Sequence, residues 1–159
     1  MIIINNAEKF FKQLGLQDRV CKVSGSTASA VEAAQSINVE LGMIAKSLTF
    51  KTDSRPILIV MSGDAKIHSS KFRKTFKVKS KMLEADEVLK YTGYEIGGVC
   101  PFNLASDEID VYLDVSLKRY NQLAPGCGAY DMLVNLSLEE LEKYSNYVDW
   151  VDIGKGWQE

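Results

Sequence analysis

The sequence predicts an α+β fold: a mixed, mostly antiparallel, barrel-like sheet surrounded by helices. Three observations predict it. The hydrophobic period switches between 3.6 and 2 along the chain, so helices and strands are interleaved. Two of the strand patterns, "MIAKSLTFKT" and "RPILIVMSGD", are separated only by a turn at Asp53 to Pro56, which suits a hairpin and not a doubly wound parallel sheet. There is no dinucleotide fingerprint and no Walker loop; "GKGW" near the C-terminus has the wrong spacing and context and suits a turn.

The elements follow in order. "NNAEKFFKQLGLQ" predicts a helix capped by Asn5 or Asn6, with Phe10, Phe11 and Leu14 as its apolar stripe and Gly15 as its stop. "STASAVEAAQSIN" predicts a second: Ser29 and Glu32 have capping-box spacing, and Asn38 supplies a left-handed end. Alternation then places Ile44, Lys46, Leu48 and Phe50 on one face of a strand and Ala45, Ser47, Thr49 and Lys51 on the other. The run Ile57 to Met61 predicts a strand buried on both sides, closed by Gly63-Asp64. Short helices are predicted near Ser69 to Phe76 and over "EADEVLKYTG", ending at Gly93. "EIDVYLDVSL" predicts a half-buried strand with Ile109, Val111, Leu113 and Val115 inward and Asp110, Tyr112 and Asp114 outward. "YDMLVNLS" predicts a further strand, "LEELEKY" a helix behind a Ser137 cap, and "YVDWVDI" a closing strand.

A chain of 159 residues with 46% apolar and 25% charged residues is long and apolar enough to bury its own core, so one compact unit is expected over 1–159. No apolar run reaches the roughly 20 residues needed to span a bilayer, and "MIIINNAEKF" is too short in its apolar part for a secretory signal. A cytoplasmic location with no membrane partner is therefore expected. Cys21, Cys100 and Cys127 are odd in number and widely spaced, which suggests free thiols and not a disulfide framework or a metal knuckle. The single histidine, His68, argues against a His-based triad or a multi-histidine metal site, and it is expected at the surface or at a helix cap. No cofactor is suggested.

Charge is distributed unevenly. Residues 1–83 carry 14 Lys/Arg against 6 Asp/Glu, and residues 84–159 carry 5 against 15, giving +8 and −10 for the two halves. The densest stretch, "AKIHSSKFRKTFKVKSK", has seven cations, among them Lys66, Lys71, Arg73 and Lys74, and no acid. Two readings fit: a patch that attracts a polyanion, or a solvated helix face and strand.

Lys46 shares a predicted inward face with apolar residues. A buried, unpaired ammonium is costly, so it must snorkel to water, shift its pKa, or enter a polar cavity that needs a cation. "EIGGVCPFNL" offers a second candidate. Gly97 and Gly98 permit close approach of a ligand, Pro101 fixes the loop exit, and consecutive N–H groups over Gly98, Val99 and Cys100 can aim at one oxygen. A plain turn fits the same residues. Cys100 lacks a histidine base and is a poor candidate nucleophile. "GCG", residues 126–128, forms either a second pocket edge or a tight turn.

Taken in order, "IAKSLTFKT", "PILIVMSGDAKI", "TGYEIGGVCPFNL", "VYLDVSLKRY" and "GAYDMLVNLSLEEL" resemble the YbaK family, free-standing relatives of the editing domain inserted in bacterial prolyl-tRNA synthetases. The resemblance runs from about Ser26 to Leu141. It implies a trans-acting deacylase that hydrolyses the ester of a mischarged small amino acid, alanine-, cysteine- or serine-like, on tRNA, with tRNA(Pro) the expected carrier. It also implies that Lys46 lines the site, that the GxxxP loop Gly97–Pro101 faces the aminoacyl ester, and that Asp114 and Gly128 border the pocket. Ser47 stands where the alanine-editing branch tends to carry asparagine, and Asp131 where similar members often have histidine. The chemistry needed is a water activated largely by the substrate's own ribose hydroxyl, with loop amides holding the carbonyl oxygen. Lys46 would anchor the terminal adenosine or its phosphate, and Lys66, Lys71, Arg73 and Lys74 the acceptor stem. The partners implied are aminoacyl-tRNA and a synthetase, with no role for DNA. The alternatives are a non-catalytic member that binds tRNA or a synthetase, and a hydrolase of small esters or amides.

Overall fold

The computed structural model describes residues 5–27 and 29–158. The apolar run at the start of "MIIINNAEKF", residues 1–4, lies outside them. Helix α1, Asn6–Gln13, starts at Asn5, whose side chain accepts the Glu8 N–H while Glu8 reaches back to the Asn5 N–H. Phe10 and Phe11 dock it against Phe102 and Tyr144. A short strand β1, Val20–Lys22, precedes α2, Ala30–Ile37, which is capped by Ser29 and ended by Asn38 at φ 55°. Next come β2, Ile44–Phe50, and β3, Ile57–Ser62, paired as the predicted antiparallel hairpin.

Strand β4, Lys66–Ile67, leads into α3, Ser69–Phe76, whose N-cap is His68: the Nδ1 atom accepts the Lys71 N–H at 3.3 Å. Phe72 and Phe76 are one helical turn apart and pack on Phe50 and Tyr112. Helix α4, Ala85–Thr92, opens with the Glu87 carboxylate on the Glu84 N–H and closes at Gly93, φ 82°. Strands β5, Asp110–Asp114, β6, Gln122–Pro125, β7, Met132–Val134, and β8, Leu136–Ser137, precede α5, Leu138–Tyr144, with the predicted Ser137 cap. The described chain closes with β9, Asp149–Val151, and β10, Gly154–Lys155.

Six strands in the order β8-β6-β2-β3-β5-β9 form a mixed sheet that curls into a half-barrel, with helices outside. Four of the seven strand pairings among the described residues are antiparallel, but three of the five within this main sheet (β2–β6, β3–β5 and β5–β9) are parallel. The helical crossover α3–α4 between β3 and β5, and α5 before β9, bring these strands back in the same direction.

Both sheet faces are covered, as the run Leu58 to Met61, fully buried throughout, requires. One face carries Ala45, Leu58, Val60, Val111 and Leu113 against α1 and α5; the other carries Leu48, Phe50, Ile59 and Tyr112 against Phe72 and Phe76. Each of the fully buried Leu, Val and Ile side chains among them contributes about 1.5–3 kcal/mol. The strand at 108–117 keeps the expected alternation as far as Tyr112, with Ile109, Val111 and Leu113 buried and Asp110 and Tyr112 partly exposed, but Asp114, expected outward, is fully buried. The strand also ends at Asp114, whose carboxylate accepts the Ser116 N–H and caps a 3₁₀ turn, Val115–Arg119. "YDMLVNLS" likewise divides into β7 and β8, which pair with β1 and β6 respectively.

Candidate functional site

The site grows out of a gap in the sheet. Strand β6 pairs with β2 only at Ile44 and Ala45, and Phe50 bridges Met82 beyond. Ile44 C=O accepts the Gly63 N–H, so the even-numbered residues of β2 turn their peptide groups toward β3, and the odd-numbered ones turn theirs outward. Thr49 C=O accepts the Leu83 N–H and Lys51 N–H donates to Lys81, which closes the far end. Between those two closures the Ser47 N–H, the Ser47 C=O and the Thr49 N–H have no backbone partner among the described residues.

A cleft of about 440 Å³ opens over this gap. Its floor is β2 from Ile44 to Thr49; Ser29 to Val31 of the α2 start, Met82–Leu83, and the loop residues Ile96, Gly97 and Val99 form the walls, with Gly126 at the end of β6. The lining is mostly apolar, and Val31, Met82 and Ile96 are more than half exposed at the rim.

Lys46 borders this cleft. Its side chain leaves β2 on the face of Leu48 and Phe50, and its Nζ donates to Ala65 C=O at 2.5 Å and Gly63 C=O at 3.5 Å. Burial pushes the ammonium below the ordinary lysine value, Asp64 partly offsets this, and Lys66 adds to it. The turn that holds it is itself gripped: the Arg119 guanidinium takes both Asp64 oxygens, at 2.9 and 2.6 Å, and lies 5.0 Å from the ring centroids of Tyr120 and of Trp157.

The loop borders the cleft from the other side. Its residues Val99, Cys100 and Phe102 pack with Ala45, Val60 and Leu113, on the face opposite Lys46. Gly97 has φ 99°, and a Cβ on Gly98 would sit 2.9 Å from the backbone of Gly128 and Ala129. The Gly98 N–H is taken by Glu95 C=O at 2.9 Å, so this donor is spent inside its own turn. Cys100 is fully buried; burial pushes its thiol up to about 12, against the Phe102 and Gly128 amides and Tyr94, which act the other way. The thiol is therefore protonated at neutral pH and out of reach of solvent.

Other expected residues lie elsewhere. Pro101 is buried and lines a second cleft, of about 490 Å³, with Phe10, Asn103 and Tyr144. Asp114 caps the 3₁₀ turn and accepts the Ile153 N–H at 3.0 Å. Gly128, φ 85°, packs under the Asn5 cap of α1, and Gly126 is the glycine of "GCG" at the cleft. Asp131 pairs with Lys22 at 3.7 Å. In the basic stretch, Lys66, Arg73 and Lys74 are exposed, while Lys71 is bound to Asp152 at 3.1 Å and to Gly154 C=O. This stretch begins directly after Ala65, so it adjoins the Lys46 wall.

Comparison with known proteins identifies the family. The aminoacyl-tRNA editing domain profile matches residues 24–144. The chain belongs to the aminoacyl-tRNA editing domain family. Within this family it is 44% identical, over 98% of its own length and 99% of the relative's, to the uncharacterized protein YwhH of Bacillus subtilis. It is 25% identical over 130 residues to the proline–tRNA ligase of Sulfurihydrogenibium sp., covering 80% of this chain but 22% of that enzyme. Among solved structures, a candidate trans-editing enzyme for prolyl tRNA synthetase superposes with a TM-score of 0.83 at 25% identity, covering 97% of this chain and all of the other. Among the described residues, no helix is long and apolar enough to cross a membrane.

Proposed function

We propose that this editing-domain protein is a trans-acting aminoacyl-tRNA deacylase for a mischarged small amino acid, with tRNA(Pro) as its carrier. The observation that carries the reading is the cleft over the β2 gap, which one cation and one glycine loop border from opposite sides. A 3′-aminoacyl adenosine is an extended ligand with an ester at one end and phosphate at the other. The loop side, with the Val99 N–H, suits the ester carbonyl, and the Lys46 side suits the adenosine or its phosphate. Exposed Lys66, Arg73 and Lys74, beyond the lysine wall, suit the acceptor stem and give salt-dependent affinity.

The hydrolysis needs no protein nucleophile. Water, positioned by the vicinal ribose hydroxyl, bonds to the ester carbonyl carbon; the bond to the ribose 3′ oxygen breaks, and that oxygen takes the proton. Free amino acid and intact tRNA result. Gly98 does not serve as an oxyanion donor in this scheme because its N–H is already bonded. A second sieve of this kind is needed because a synthetase pocket rejects a smaller or isosteric amino acid only weakly.

The reading is tested by a panel of tRNAs misacylated with alanine, serine, cysteine and larger residues. Turnover confined to small residues on tRNA(Pro) supports it; tRNA retention with every ester intact would identify a binding protein instead.

A further inference from the structure

We propose that the unpaired Ser47 peptide is the recognition point for the aminoacyl group, so that the substrate adds itself to the β2 edge as a single strand residue. The inference rests on the deacylase reading and deepens it. An exposed strand residue offers one N–H donor and one C=O acceptor side by side, and its natural complement is a residue that offers a C=O and an N–H in the same spacing. An aminoacyl ester with a free amino group has that pattern: the carbonyl oxygen accepts and the α-ammonium donates.

Three observations place this complement at Ser47. The outward alternation of β2 is fixed at both ends, by Ala45 against Pro125 and by Thr49 under Leu83. Nothing among the described residues caps the Ser47 N–H or C=O, although Ser47 lines the cleft floor and its side chain is half-buried. Unpaired peptide groups in a mostly apolar cleft are costly to leave dry, and a ligand that pairs both recovers that cost. The same pairing supplies the amide that the loop lacks, since the Gly98 N–H is spent on Glu95. The ester carbonyl held by the Ser47 N–H gains strength from that bond as it becomes an oxyanion. Because the C=O partner is a charged ammonium, the site selects α-amino acyl esters over N-blocked ones.

The experiment uses the ¹⁵N-labelled full chain and two probes, 3′-alanylamino-3′-deoxyadenosine and its N-acetyl form, with deacylation of alanyl-tRNA assayed in parallel. The expected result is a shifted Ser47 amide resonance with slowed hydrogen exchange on saturation by the first probe. Binding of the N-acetyl form should be about tenfold weaker or more. A Ser47 amide that stays unchanged at saturation, a first probe that does not bind, or equal binding of the two probes would each overturn the inference. If alanyl-tRNA is still hydrolysed in those cases, the deacylase reading stands without it; if no misacylated tRNA is hydrolysed at all, that reading itself fails.

Discussion

Arg119 holds Asp64 through two hydrogen bonds, at 2.9 and 2.6 Å, and the carbonyls on either side of Asp64, those of Gly63 and Ala65, hold the Lys46 ammonium. The cation at the cleft wall is thus set by a residue 55 positions away from the turn, which also contacts the rings of Tyr120 and Trp157. Replacing Arg119 by alanine should destabilise the protein by only about 1 kcal/mol, since the pair is partly exposed. The larger effect should be on kcat/KM, roughly tenfold lower with the loss mainly in KM, because Lys46 is positioned less well. A melting curve beside steady-state kinetics separates the two. Arg119→Lys should not restore activity, as an ammonium cannot take both carboxylate oxygens in a fork.

Cys100 provides a negative control. Its thiol is fully buried, with a value pushed up to about 12, and it receives the Phe102 and Gly128 amides. Cys100→Ala should therefore keep its turnover within about twofold while losing roughly 1–3 kcal/mol of stability through the unpaired amides. Denaturant unfolding and deacylation kinetics on one preparation check both parts.

The sequence shows the local half of this fold readily. Asn5, Ser29, His68 and Ser137 cap helices where short-range chemistry places them, and the Ile57 to Met61 run is buried on both faces. Pairing partners are less legible. β6 is only four residues long and carries no clear alternation, so the parallel β2–β6 contact, and with it the gap at Ser47, leaves no mark in the pattern. The fate of Asp114 depends on the same kind of information: alternation points it outward, but only the tertiary fold brings the Ile153 amide and the 3₁₀ turn to its carboxylate. At the site, parity does put Lys46 with Leu48 and Phe50, and the loop is visible from its glycines. The sequence suggests that amide groups over Gly98 to Cys100 converge with the cation. In the fold, the loop and Lys46 border one cleft from opposite faces of β2, and Gly98 bonds to Glu95.

The alkaline limb of the pH profile should report Lys46. Burial lowers its pKa from the ordinary 10.5, so the cation proposed to hold the adenosine or its phosphate is lost as pH rises through the folded value. Deacylation corrected for spontaneous hydrolysis should fall at a pH below 10.5, and Lys46→Arg should abolish that fall, because a guanidinium stays charged. The sign for stability is opposite. Between the folded value and 10.5 the unfolded chain binds more protons, so this group makes folding more favourable as pH rises.

Exposed Arg73 and Lys74 should contribute affinity and not chemistry. Reversing both to glutamate should weaken tRNA binding by about tenfold or more and flatten its dependence on salt, by roughly 0.7–0.9 in log–log slope for each phosphate no longer neutralised. Turnover of 3′-alanyl adenosine, which lacks the acceptor stem, should change far less.

The most direct measurement is single-turnover deacylation of alanyl-tRNA(Pro) by the wild-type chain and by Lys46→Ala, with both proteins shown to be folded by their melting curves. Hydrolysis is expected from the first and a loss of about a hundredfold or more from the second, with the fold retained at a somewhat lower melting temperature, since the Gly63 and Ala65 carbonyls lose their donor. Equal hydrolysis by the two proteins across every small amino acid would contradict it.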